Sequence, residues 1–200
     1  MPKFYTKKFE KEVAAKIASS RHIQKKAHAI AEQRIESARR EMMDEFDSHP
    51  VTRELDGGVA ATNFSGTLGG YGNLFSFIGF PIGSQPTRPI RDYLKKSIHL
   101  GRNPKIVKSH KDLVMKFKVK MPRIPEIELL SPSPWEGRSW TRGIEQGITG
   151  LGSYMFSLHE GFKNSRSGKA VQGSKQMRTM AYRPVRYMTS ILKSLDRKIQ

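Results

Sequence analysis

Asn63-Phe64-Ser65-Gly66-Thr67-Leu68-Gly69-Gly70-Tyr71-Gly72-Asn73-Leu74-Phe75-Ser76-Phe77-Ile78-Gly79-Phe80-Pro81 joins a glycine-dense turn to the most apolar run of the chain. Glycine opens backbone angles that a residue with a Cβ reaches only at a cost, so the first half reads as turns. The second half supplies Leu74, Phe75, Phe77, Ile78 and Phe80 to a core. A charged, helix-like segment precedes it, and basic, strand-like and looped segments come after. The run is read as the central strand or hairpin on which a long helix packs. That gives an α+β fold over residues 1–200 as a single domain: a long N-terminal helix on a small antiparallel sheet, with extended arms and a C-terminal helix.

A phosphate-cradling loop is the competing reading of the same glycines. A nucleotide loop of the G-x-x-x-x-G-K-[ST] type needs lysine directly after its last glycine, whereas Gly72 is followed by Asn73 and Leu74. Gly70-Tyr71-Gly72 opens a dinucleotide fingerprint, but Phe75 stands where the third glycine belongs. The residues beyond Gly72 are aromatic and strand-like, where that fingerprint needs a helix. A structural turn is the preferred reading.

Upstream, residues 8–47 read as one long helix, with room for a break. The segment has no proline or glycine and is rich in good helix formers. Ile23, Ala27, Ile30, Ala31, Ile35, Ala38, Met42 and Phe46 keep the three-or-four spacing of one buried stripe. Ser48-His49-Pro50 ends it, because the residue before proline disfavours the helical region. A helix of about 40 residues is roughly 60 Å long. That exceeds what a small core covers, so part of it is expected against another subunit. A solvated helix laced with i,i+4 ion pairs is the plainer alternative. Residues 51–61 read as a connector turning at Gly57-Gly58.

Downstream, residues 81–89 form a loop into a short amphipathic helix over 90–98, closed by residues 101–104. Residues 112–121 alternate: Met115, Phe117, Val119 and Met121 face one way, and Lys116, Lys118 and Lys120 the other. The lysine row is a binding surface or, more simply, a solvated outer face guarding a sheet edge. Residues 122–134, punctuated by Pro122, Pro125, Pro132 and Pro134, read as an extended arm or irregular strand. Trp135 and Trp140, the only tryptophans, bracket Arg138 in a corner that buries much area or meets a partner. Trp135, Arg138 and Trp140 are the candidate interface residues, with Phe75, Phe77 and Phe80. A glycine-dotted helix over 141–151 and a strand over 154–158 come next. The loop over 161–184 carries Lys163, Arg166, Lys169, Lys175 and Arg178, a candidate track for phosphates or an acidic surface. Val185, Met188, Leu192, Leu195 and Ile199 mark the apolar face of a final helix over 185–200.

Composition bounds the function. Lys plus Arg number 36 against 18 acids, a formal charge of +18. This points to nucleic acid, an anionic surface or an acidic protein partner. An apolar fraction of 36% implies a modest core that leans on neighbours. With no cysteine, disulfides and thiolate metal sites are excluded, compatible with a reducing cytoplasm. Residues 1–12 lack the apolar core of a signal peptide, and the chain has no run of about 18 apolar residues, the length that a membrane span needs. The six histidines are scattered, with no H-E-x-x-H and no nucleophile elbow. Glu126 and Glu128 share one side of the arm without a defined cleft. No catalytic, cofactor-binding or metal set is legible, and an enzyme is not expected.

The order of elements, with Ser65-Gly66-Thr67-Leu68 entering the apolar run, resembles the neck or tail-completion proteins of tailed bacteriophages. Three further phrases carry the likeness: His49-Pro50-Val51-Thr52-Arg53-Glu54-Leu55, Gly72-Asn73-Leu74-Phe75-Ser76-Phe77-Ile78-Gly79-Phe80 and Trp135-Glu136-Gly137-Arg138-Ser139-Trp140. The resemblance implies a structural virion protein with no catalytic residues and no cofactor, forming a homo-oligomeric ring. It implies a head–tail connector placed between the portal-and-adaptor assembly and the tail, beside tail-terminator or tail-tube proteins, and assembled in the host cytoplasm without a membrane. This chain is longer after Ser131 than the small family pattern, which makes the tryptophan corner and the basic loop extra interface arms. Its basic balance suits acidic neighbouring rings or nonspecific contact with passing DNA. The alternative is a sequence-nonspecific nucleic-acid-binding protein such as a ribosome-associated component.

Overall fold

A computed structural model describes residues 20–68, 72–109, 112–134, 137–147, 163–164, 171–172 and 183–199, together with Glu12 and Lys16. The first helix, α1 (Arg21–Ser48), runs 28 residues, or about 42 Å. Ser20 is extended (φ −64°, ψ 123°) and marks the break. Of the expected segment before it, only Glu12 and Lys16 are described, and both are helical. The apolar stripe divides in two. Ile35, Ala38, Met42 and Phe46 are buried, whereas Ile30 stays 66% exposed. His49 ends the helix in extended backbone, as the following proline requires.

Pro50 then opens a second helix, α2 (Pro50–Asp56), and a 3₁₀ turn (Gly58–Ala60) succeeds it where a plain connector was expected. Proline suits the first turn of a helix because its missing N–H is unpaired there anyway. His49 caps it, Nδ1 accepting from the Val51 N–H at 3.2 Å.

The deciding stretch is a loop and a helix, not a strand or hairpin. α3 (Leu74–Ile78) is one short helix whose ends are fixed by its flanks. Asn73 Oδ1 accepts from the Ser76 N–H at 2.8 Å, and its Nδ2 donates to the carbonyls of Val59 and Ala61 at 3.2 and 3.0 Å. Gly79 adopts the left-handed conformation (φ 79°, ψ 36°) and returns its N–H to the Phe75 carbonyl at 3.0 Å. A five-residue apolar run has no readable period. The cap residues decide, and Leu74, Phe75, Phe77 and Ile78 are then buried all round.

α4 (Arg88–Ser97) is the expected amphipathic helix, burying Ile90 and Leu94. It stops before Ile98, which is extended and leads into β1 (His99–Leu100), so residues 101–104 link strands and do not close the helix. The expected strand over 112–121 is interrupted at Phe117-Lys118. Its first part, β3 (Asp112–Lys116), pairs antiparallel with β2 (Lys105–Ser109), and its second, β4 (Val119–Lys120), pairs with β1. The alternation holds throughout: Met115, Phe117, Val119 and Met121 are half-buried while Lys116, Lys118 and Lys120 are exposed.

The proline-rich arm is not extended along its length. Pro125 sits in the first turn of α5 (Ile124–Leu129), where it is tolerated. Beyond it Pro132 bridges to Ser139, and the hydroxyls of Ser131, Ser139 and Thr141 lie 2.7 to 2.8 Å from one another. This turn delivers α6 (Trp140–Gln146), which ends at Gly147 (φ 92°), before the glycines at 147 and 150 that the longer expected helix would have contained. β5 (Lys163–Asn164) and β6 (Val171–Gln172) form a short antiparallel ladder; the strand expected over 154–158 lies outside the described residues. Residues 183–187 form neither helix nor strand, Arg183 N–H donating to the Thr67 carbonyl and Val185 N–H to the Ile144 carbonyl. The final helix, α7 (Met188–Ile199), therefore begins three residues later than Val185.

One apolar cluster unites these pieces, drawing Met42 and Phe46 from α1, Leu55 from α2, Ile90 and Leu94 from α4, and Leu195 from α7. α7 runs back along α1, with Ser194 Oγ 2.8 Å and Lys198 Nζ 2.7 Å from Glu45 Oε1, and Lys198 Nζ 3.0 Å from Glu41. The architecture is α+β, with a long N-terminal helix, small antiparallel two-stranded sheets and a C-terminal helix.

Candidate assembly surface

Four of the six side chains expected to meet a partner lie inside the chain's own core. Trp140 keeps 1% of its exposure; its ring stacks on Tyr187 (6.3 Å, 27°) and meets Phe80 edge-on at 6.2 Å. Phe75 and Phe77 are likewise buried, because α3 is enclosed on every side, and so is Phe80 just beyond it. Arg138 is exposed, its carbonyl accepting from the Ser133 N–H at 2.7 Å. Trp135 lies outside the described residues. In the expected basic loop Lys163 belongs to β5, whereas Arg166, Lys169, Lys175 and Arg178 lie outside the described residues.

Eight of the described acids are committed within the chain. Asp47 and Asp56 both bind Arg91, at 2.8 and 2.6 Å. Glu41 and Glu45 share Lys198, and Glu36 pairs with Arg39. Burial alone would raise the Glu45 carboxyl; hydrogen bonds from Lys198 and Ser194 outweigh it and hold it below its ordinary value. Glu145 accepts from the Thr189 N–H and hydroxyl at 2.7 and 2.6 Å, and Glu126 accepts from the Tyr93 hydroxyl. Glu54, fully buried, accepts from the backbone N–H of Leu74 at 2.6 Å and of Ser65 at 2.9 Å. With these acids engaged and a formal charge of +18, the chain carries a basic excess. Lys105, Lys116 and Lys120 on the strands and Lys118 between them are all exposed, and Lys105 directly opposes Lys116 across β2 and β3.

Beside these lysines runs a groove of about 720 Å³ between the N-terminal half of α1 and the segment from β3 to β4, reaching Ile199 of α7. Ala27, Ala31, Ile35, Met115, Phe117 and Val119 line it. His28 packs its ring edge-on against Phe117 at 5.7 Å, which holds helix and strand together at the groove. Ile30 and Val114 line the groove too, 66% and 38% exposed, and Arg34 and Lys116 supply positive charge beside them. Asp196 adds one carboxylate on the α7 side. This is the half of the α1 stripe that the chain's own core leaves uncovered. An apolar floor with a mainly cationic rim is built to take apolar side chains flanked by carboxylates.

The groove was half legible in sequence. The length of the stripe announced an uncovered face, and the 115–121 alternation announced its opposite wall. Leu129 read only as one of the weakly alternating apolar positions of the proline-rich segment, because α5 was not expected, and Glu54 and Tyr187 gave no separate signal. Among the described residues no group of three or more His, Cys, Asp or Glu is placed to hold a metal ion, and no helix is long and apolar enough to cross a membrane. Compared with protein-family models, curated proteins and solved structures, the chain gives no match.

Proposed function

We propose that this chain is a structural subunit of the neck of a tailed phage, part of the head–tail connector or tail-completion ring that joins the portal-adaptor assembly to the tail. One observation carries the reading: half of the α1 stripe, together with the β3–β4 wall, forms an apolar groove that the subunit itself does not fill. A subunit with such a face gains stability by burying it against a neighbour. The basic excess suits acidic neighbouring rings or DNA passing through, and the resemblance of the quoted phrases to phage neck proteins supplies the setting. The test is quantitative mass spectrometry of salt-washed particles from producing cells. The expected result is a few copies per particle in fixed ratio to portal and tail proteins. Particles complete without the chain overturn the reading.

The strand lysines favour a second reading, sequence-nonspecific nucleic-acid binding. It requires co-sedimentation with ribosomes or nucleic acid, and an affinity that falls steeply as salt rises.

A further inference from the structure

Among the described residues the most exposed large apolar side chain is Leu129, at 83%. It ends α5, one residue after Glu128, so a bare leucine stands next to that carboxylate; Glu126, three residues before it, is held by the Tyr93 hydroxyl. The other exposed apolar side chains differ. Phe64 lies beneath the Arg53 guanidinium at 4.9 Å, Ile82 sits between Pro81 and Gly83 in sequence, and Ile106 is paired on β2 with Met115 of β3. Ile30 and Val114 belong to the groove itself. The groove presents the converse chemistry, an apolar floor beside Arg34 and Lys116. Like charges directly opposed on a hairpin destabilise it, and Lys105 opposes Lys116 there. A carboxylate arriving at that point relieves the repulsion.

We infer that the groove is filled by a second copy of this chain, through the Leu129 knob. Leu129 enters the floor between Ile30 and Val114, and Glu128 lies toward Arg34 and Lys116, away from Asp196. Knob and groove are different patches, so the contact is heterologous: each copy offers its knob to one neighbour and its groove to another. Such contacts propagate and close into a ring when the rotation permits. The inference rests on the ring-subunit reading above and specifies its subunit contact.

The test uses full-length chains bearing Ile30→Glu, which spoils only the groove, or Leu129→Lys, which spoils only the knob. Both positions are exposed, and thermal melts matching the parent show that folding is intact. By sedimentation velocity the parent self-associates with rising concentration. Each variant alone weakens association on the order of 30-fold, as loss of a central contact does. Mixed, the two variants form a one-to-one dimer and nothing larger, because a single intact knob meets a single intact groove. A parent that stays monomeric, variants that assemble like the parent, or a mixture that stays monomeric each overturns the contact. Variants that assemble normally leave the neck reading standing; a successful mixing experiment beside phage particles that lack the chain does the reverse.

Discussion

The hydroxyls of Tyr187 and Thr52 lie 2.7 Å apart in the core, a bond across 135 residues of sequence. Both residues are fully buried. The Tyr187 ring also stacks on Phe46 at 6.0 Å and on Trp140 at 6.3 Å, so it joins α1, α2 and α6 at one point. Burial pushes its hydroxyl far above the ordinary tyrosine value, and it stays protonated and able to donate.

Tyr187→Phe is expected to destabilise the fold by about 1–3 kcal/mol, because the Thr52 hydroxyl is left buried without its partner. Adding Thr52→Val to the same chain should recover much of that loss. Urea denaturation of the two single variants and the double variant measures the coupling.

Glu54 supports the glycine-rich loop from beneath, holding the amides of Ser65 and Leu74. Glu54→Gln keeps the size but sets an NH₂ group against one of those donors. The expected cost is about 1–3 kcal/mol. Hydrogen exchange at the Ser65 and Leu74 amides should quicken more than at amides in the middle of α1.

The caps of α3 make a further pair of expectations. Asn73→Ala removes a cap and strands two carbonyl partners, at about 1–2 kcal/mol. Gly79→Ala forces a side chain into left-handed backbone at about 1–2 kcal/mol, and Gly79→Asn should cost less. Chemical denaturation midpoints rank the three.

His49 gives the pH dependence. Burial holds its imidazole below the ordinary value of 6.5, partly offset by the negative charge of Glu145. In the window between the folded value and 6.5 the unfolded chain binds more protons, so stability rises with pH. The contribution is fully present above 6.5 and is lost as pH falls through the folded value. Protonation also removes the lone pair of Nδ1 that accepts the Val51 N–H. Glu45, held below 4.5, loses its contribution only at lower pH, as the medium falls through its folded value. Denaturation midpoints should decline as pH drops from 7 toward 5, and His49→Asn, which caps without titrating, should flatten that decline.

Periodic signals survived the passage from sequence to structure, down to the short amphipathic helix α4, and the five-residue run of α3 did not. The spacing from Ile35 to Phe46 and the alternation from Met115 to Met121 span enough residues to fix a buried face. Leu74 to Ile78 is too short for its period to be read, so Asn73 and Gly79, which set its ends through backbone hydrogen bonds, outweigh its apolar and aromatic content. Pro125 marks a helix's first turn where proline density suggested an extended arm. The aromatic residues expected at an interface were assigned by type, and type does not tell a core tryptophan from a surface one. Trp140 is turned inward by a bridge between Pro132 and Ser139 that only the folded backbone reveals.

The antiparallel seating of α7 on α1 has a consequence for synthesis. Ile35, Ala38 and Met42 leave the ribosome some 150 residues before Leu195, with which they share one cluster. Through that interval the nascent chain carries an apolar stripe that α2 and α4 cover only in part. Contacts this remote in sequence must wait for the whole chain, and they slow folding. Copies emerging side by side on one messenger therefore expose the same stripe to one another before any of them can close it with its own α7.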